Sequence, residues 1–503
     1  ANNLGTLDYS NAVNSTAMYI DNATAENAGL IKVGANSLGM YGVNNAELYN
    51  NTNIEAGNKA VGMYGKNTKI ENNNSIVTTD DEAIAVYGVS ANVENKGNIN
   101  LNNNMTVGLY GDNSNVANSN VINVTSEKSI GMYGENSSNV INNQDIFISN
   151  VSDISKANTG IYNTNSNAVN NGNIAGGDNA IGVYNAGNFD NFGKIILGQG
   201  AVGVYTDGGT ATIHTGSKVE AGEVALLVKN GVLTNNTSDV KGNFIGYAGS
   251  AGKLINNANI TVEETGFYSN SGELENNGII TANNNEVIFF YGDNAKITNN
   301  TDIIGLGVGN IGVYGVDSVI DNLGNITVAD SEINSTTNSK LNKYAVGIYG
   351  KNSQITNTGN ITVGENAIGI YANKGNVVNT GNITANKNDS VGIFLDRASA
   401  VNSGVITMNG DNSIGIYLQE NSSLTNTGTI NINGKDSTGI YMYDQHSVIV
   451  NNGTINLNGD NSIGIITPEN VGYTAGMIIT SGTGTSTTGV SSIKYYDKPT
   501  IIN

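Results

Sequence analysis

The stretch Ser413-Ile414-Gly415-Ile416-Tyr417, apolar and small residues in alternation closed by an aromatic ring, returns in near copies along almost the whole chain. The copies run from Tyr19 through Tyr41, Tyr110, Tyr205, Tyr314 and Tyr441 to Ile466, about twenty in all. Their mean period is roughly 23.5 residues. In the unit from Ala367 to Asn388, Ile368-Gly369-Ile370-Tyr371 alternates with period two. That predicts a short strand with Ile368 and Ile370 inward and Gly369 and Tyr371 outward. A polar turn at Asn373-Lys374-Gly375 leads to a second strand holding Val377 and Asn379. Gly381 marks a bend and Ile383 opens a third strand. Three short strands and three turns per rung predict an all-β chain, a right-handed parallel β-helix or β-solenoid, over residues 1–466. Pro468 breaks the beat and a Gly/Ser/Thr-rich run follows, so residues 467–503 read as a C-terminal cap or the start of the next module.

Stacking the rungs at about 4.8 Å turns each position into a column. The residue before each tyrosine is aliphatic or Met, as at Met40, Leu109, Val183, Ile348 and Ile440, and predicts a continuous core. Asparagine recurs just ahead of the bend, from Asn27 through Asn95, Asn170, Asn276 and Asn357 to Asn451. By parity it points inward, where an amide can donate to the rung on one side and accept from the other. His214 reads as a substitute in that ladder. The tyrosines fall outside as an aromatic stripe beside an outward glycine, a row that shields backbone and offers rigid area for binding.

Two departures from the period mark where recognition could have been inserted. The rungs ending at Tyr162 and Tyr349 are longer than the mean by about five and about twelve residues, at the same return corner, which places insertions at 150–156 and 329–343. Per-rung insertions project as loops on one face of a solenoid. The candidate partner-binding residues are therefore Ser152, Asp153, Lys156 and Tyr162 at the first insertion, and Glu332, Asn334, Ser335, Lys340 and Tyr349 at the second. The other departure is degradation of the motif over about 206–267, where Leu227 replaces tyrosine and Gly246 the inward aliphatic.

Roughly ninety asparagines would signal low complexity if the apolar residues were not so regularly placed. The formal net charge is −20 and Arg397 is the one arginine, which excludes nucleic acid and other polyanions as partners. With no cysteine there is neither a disulfide nor a thiolate metal site, and no apolar run is long enough to span a bilayer. A β-helical carbohydrate lyase or hydrolase needs clustered carboxylates, a basic residue and often calcium. Asp80-Asp81-Glu82 and Glu263-Glu264 read as solvated turns, Gly111-Asp112-Asn113 and Gly410-Asp411-Asn412 fall in different corners, and His214 and His446 lie about ten rungs apart. No catalytic residue, cofactor or metal is expected.

Units such as Val346-Gly347-Ile348-Tyr349-Gly350-Lys351-Asn352-Ser353, followed by Ile355-Thr356-Asn357-Thr358-Gly359-Asn360-Ile361, resemble the passenger repeats of fusobacterial type V autotransporter adhesins, the RadD-like outer-membrane proteins. The resemblance covers roughly Met18 to Ile466. It implies an extracellular stalk on the bacterial surface, exported through a C-terminal barrel that this chain does not contain. Such a stalk mediates coaggregation or host-cell attachment by binding a surface protein or glycan. The expectation is a monomeric, non-enzymatic adhesin passenger. A β-helical carbohydrate-active enzyme and a pure spacer are the alternatives.

Overall fold

The computed structural model describes residues 1–333 and 342–467 and the backbone of 478–480. Among these residues the chain is strand and turn with a single short 3-10 helix, Ile154–Lys156. It forms a parallel β-solenoid of about twenty rungs. Contacts divide it into two units, one of Ala1–Tyr247 with Ala251–Leu254 and one of Ala248–Ser250 with Ile255–Asn503.

A regular rung of the second unit has strands Val346–Lys351, Gln354–Asn357 and Ile361–Val363, and the next repeats them as Ile368–Asn373, Asn376–Asn379 and Ile383–Ala385. Each strand pairs in parallel with its equivalent on the neighbouring rung, in phase, so that Tyr349 meets Tyr371, Asn357 meets Asn379 and Ile361 meets Ile383. The first unit repeats the scheme, for example in Val107–Asp112, Asn115–Asn118 and Ile122–Val124. A rung alone could not hide its apolar face; stacked, Met40, Leu109, Val183, Ile348 and Ile440 are all fully buried. Each large aliphatic so buried contributes about 1.5–3 kcal/mol against the entropy of ordering its rung.

Two chemical devices close the corners. A residue in the left-handed region opens many turns, such as Asn67 (φ 55°), Asn113 (φ 50°) and Asn352 (φ 52°), a conformation asparagine adopts more readily than most residues. Its N–H then reaches the next rung, as Asn352 N does to Asn373 O at 2.8 Å. Just inside the turn, small hydroxyls form ladders that accept backbone N–H groups of the rung before. Ser413 Oγ accepts from Ser390 N at 3.3 Å, Ser437 Oγ from Ser413 N at 3.0 Å, and Ser462 Oγ from Ser437 N at 3.3 Å.

The amide ladder forms as the sequence predicts. Along most of the ladder Nδ2 of a buried asparagine donates to Oδ1 of the next: Asn27 to Asn50 at 2.9 Å, Asn95 to Asn118 at 2.8 Å, Asn322 to Asn357, Asn357 to Asn379 and Asn426 to Asn451 each at 2.7 Å. The same Nδ2 also donates to a carbonyl two residues on, as from Asn357 to Gly359 O at 2.9 Å. Buried at 0% exposure, Asn357 thus has both donors and its acceptor in use.

Three sequence expectations are corrected. Gly369 is not outward: it is buried, as is Ile370, and Ile368 is the half-exposed neighbour of Tyr371. The period of two slips at the glycine because a side chain there would run into the core, a Cβ standing 2.7 Å from Cγ2 of Ile383. The tyrosine stripe is therefore flanked by an aliphatic row. His214 is not in the ladder; Ile213 pairs with Asn191 and Asn235 and occupies that place. The His214 ring instead stacks on Phe192 (centroids 4.0 Å, 10°), with Nε2 2.7 Å from Asp190 Oδ1. The irregular segment also begins earlier than residue 206. From Thr159–Asn170 onward, through Ile181–Asn191, Val202–Ile213, Val224–Asn235 and Phe244–Asn256, the first two strands of a rung fuse into one long strand with a bulge.

Candidate binding surface

The insertion at 150–156 is fastened at its base and open at its tip. Val151 is buried, its N–H donates to Asp178 O at 3.2 Å, and its carbonyl accepts from Asn179 Nδ2 at 2.8 Å. At the far end Lys128 N donates to Lys156 O at 3.1 Å, while Lys156 Nζ stands 3.1 Å from Glu127 Oε1. Between these anchors Ser152 and Asp153 are exposed, and Ile154 is 46% exposed. Asp153 caps the 3-10 turn, its Oδ1 accepting from Ser155 N at 2.7 Å, and the bonds from Ser155 hold its carboxyl below the usual range.

The second insertion is closed by a two-residue antiparallel bridge, with Glu332 N to Lys343 O and Lys343 N to Glu332 O both at 2.9 Å. Lys343 Nζ lies 3.4 Å from Glu286 Oε2 and 3.5 Å from Glu332 Oε2, and Glu286 ahead of Glu332 holds the ammonium pKa above its ordinary value. Asp330 takes both contacts from Lys387 Nζ, at 3.0 and 2.8 Å. Burial pushes the Asp330 carboxyl up, but Lys387 and the Glu365 N–H outweigh it and the net shift is down. Asn334, Ser335 and Lys340 lie outside the described residues.

Tyr162 and Tyr349 sit inside the aromatic columns rather than on the loops. Tyr162 is stacked between Tyr133 (5.0 Å) and Tyr184 (4.5 Å), and Tyr349 between Tyr314 (4.5 Å) and Tyr371 (5.1 Å). From Tyr291 to Tyr441 successive rings are within 7–15° of parallel. Their faces are covered by one another and only edges and hydroxyls are offered outward, so a sugar ring has no free aromatic face within the run. The column also creates its own electrostatics: Tyr110 and Tyr133 both donate to Glu135, and burial first, then that carboxylate, pushes Tyr133 up to about 12.

The groups weighed for catalysis are otherwise engaged. Arg397 is bidentate to Asp396, Nε and Nη2 each at 2.9 Å, with Glu420 3.3 Å from Nε. Asp81 Oδ1 accepts from Asn104 N at 2.9 Å, and Glu82 lies 3.6 Å from Lys59 Nζ. His446 is beside Asp444. Among the described residues no group of three or more His, Asp or Glu side chains is placed to hold a metal ion.

What sequence reasoning missed is an exposed apolar run on the third strands of the first unit, Phe147 (46% exposed) and Ile196 (38%) around Ala175. Its signal was available: Ile146-Phe147-Ile148 and Ile195-Ile196-Leu197 are apolar at the outward position, which is mostly polar on other rungs.

No curated protein and no solved structure matches the chain. Residues 389–489 match the family described as the BigA third pectate lyase-like domain.

Proposed function

We propose that the chain is a β-helical passenger of an autotransporter-type adhesin, displayed on a bacterial surface and attaching the cell to a protein or glycan on another cell. The repeats resemble those of the RadD-like fusobacterial adhesins, and the match over 389–489 to the BigA third pectate lyase-like domain supports a β-helix passenger. It is a relation of fold. The role we assign is recognition without catalysis, since Arg397, Asp396, Asp81 and Glu82 are each tied into local pairs. The observation that carries the reading is the 150–156 insertion. Its two ends are bonded to the neighbouring rungs while Ser152, Asp153 and Ile154 face solvent, so a recognition element is held on a rigid scaffold.

The test replaces 152–155 with a Gly-Ser turn, and likewise 334–341, in the parent protein on its cell. Thermal unfolding of the purified chain is expected to stay unchanged while attachment to target cells falls at least about tenfold. Unchanged attachment with both loops replaced would make this chain a spacer.

A further inference from the structure

The third strands of the first unit present one outward residue per rung in a single column. That residue is polar at Lys32, Glu55, Asn100 and Asn123 and again at Glu220, with a lone half-buried Val77 among the polar ones. Between these stand Phe147, Ala175 and Ile196, on Ile146–Ile148, Asn173–Gly176 and Lys194–Leu197, in register. The two large side chains are exposed and the small one makes a notch between them. Two residues upstream on the same strands runs a second outward column of Asp145, Asn173 and Lys194. Asn173 Nδ2 donates to Asp145 Oδ1 at 2.8 Å, Asn173 is in register with Lys194, and Lys194 is exposed.

Each column is complementary to its own reverse. A second copy turned end over end about a two-fold axis along the Asn173–Gly176 strand, and laid face to face, brings Phe147 opposite Ile196 of the second copy and Ala175 opposite Ala175. The same rotation brings Asp145 opposite Lys194 of the second copy and Lys194 opposite its Asp145. One operation thus buries both apolar side chains twice over and forms two ion pairs, as an isologous interface requires. With the two-fold axis along the stack instead, the strand direction reverses, and with the apolar columns opposed Asp145 and Lys194 of the two copies fall on opposite edges of the contact and form no pairs.

We propose that this face of the first unit is a homotypic docking surface through which two copies pair antiparallel. The footprint of about three rungs by one short strand, about 14 by 13 Å, is small, so the contact is weak between single molecules and gains strength only when many copies line two opposed surfaces. The pairing does not depend on what the 150–156 loop binds, since that loop leaves from the C-terminal edge of the face.

Sedimentation equilibrium of the purified chain from about 1 μM to about 1 mM tests it. A monomer–dimer equilibrium is expected. Replacing Phe147→Ser together with Ile196→Ser should weaken it at least about tenfold, and Val319→Ser, an exposed apolar residue of the second unit, should leave it unchanged. Asp145→Lys and Lys194→Asp should each weaken pairing, and the two together should restore it to within about threefold, a reciprocity that a merely sticky patch would not show. A wild-type chain monomeric across the range, a dimer indifferent to Phe147→Ser/Ile196→Ser, or a double charge reversal without recovery would each overturn the proposal. The first of these would leave the patch to an unlike protein.

Discussion

The regular rungs around Val346–Leu395 and the fused rungs of Thr159–Asn235 turn the corner between their first two strands in different ways. In regular rungs such as those of Tyr314 and Tyr349, the residue after tyrosine is glycine and the inward residue of the second strand is large. A Cβ on Gly350 would stand 2.7 Å from Cδ1 of Ile355, and on Gly315 2.7 Å from Cδ1 of Ile320. In the fused rungs the glycine is replaced throughout: Asn163 and Thr206 stand with the small Ala168 and Ala211, but Asn185 with the large Phe189 and Val228 with Leu233. The trade recurs at Leu395 with Ala400, where the corner stays regular, so volume exchange alone does not fuse the strands. In the rungs of Tyr162 and Tyr184 an inward amide takes over the corner's hydrogen bonds. Asn163 Nδ2 donates to Ser166 O and Asn188 O, both at 3.0 Å, and Asn185 Nδ2 to Thr210 O at 2.9 Å. Side-chain donors there satisfy carbonyls near the bulge, while a regular corner relies on a left-handed residue and a hydroxyl.

The largest expected effect breaks the volume rule. Gly350→Leu overfills the space held by Ile355 and should cost about 3 kcal/mol, and Ile355→Ala in the same chain should recover most of it by recreating the Leu395–Ala400 arrangement. Chemical denaturation of the three variants checks this; a double variant no better than the single one would mean that the backbone, not the side-chain volume, fixes the glycine.

Next comes the amide ladder. Asn357→Leu removes the acceptor of Asn322 and the donor to Asn379 and Gly359 O, all buried, and should cost about 2 kcal/mol. The fused region already carries such an interruption at Ile213, where Asn191 keeps Gly193 O at 3.2 Å but finds no acceptor on the next rung. Ile213→Asn should therefore be neutral or stabilise by up to about 1 kcal/mol. Opposite signs for the two substitutions, read from thermal unfolding, would show that the ladder contributes per rung; equal losses would show that each site is tuned to its own residue.

The columns were legible in the sequence wherever a column is a repeat. The inward aliphatics, the asparagine ladder and the three strands of Ala367–Asn388 all follow from period and parity. Parity failed at Gly369 because a strict alternation cannot register one slip of phase, and only the approach of Ile383 shows which way the glycine faces. His214 was placed in the ladder because it stands at the residue count where asparagine is due, yet the bulge shifts the count by one and Ile213 arrives there instead. The insertions at 150–156 and 329–343 were legible as lengths, but the anchoring of Val151, Lys156 and Lys343 depends on neighbouring rungs. The self-complementary run of Phe147, Ala175 and Ile196 needs the register of three strands before its order along the stack has meaning.

The smallest expected effect asks whether the tyrosine columns notice the difference between the two kinds of rung. Burial, then neighbouring phenols and carboxylates, pushes Tyr184 in the fused region and Tyr417 in the regular one alike up to about 12, against an ordinary value of about 10. A phenol whose folded pKa is raised favours the fold in its neutral form. Its contribution is fully present below about pH 10 and is lost as pH rises through about 12. Ultraviolet titration should accordingly show a late step near pH 12 from Tyr184 and Tyr417 in the folded chain that moves to near pH 10 in denaturant, with stability falling across that window. Comparing Tyr184→Phe with Tyr417→Phe separates the two regions, since each should remove a late-titrating step of equal size. If Tyr184 ionised near pH 10 while Tyr417 did not, the fused rungs would be opening their first strand to water, and the amide of Asn185 would be a poorer corner than the turn it replaces.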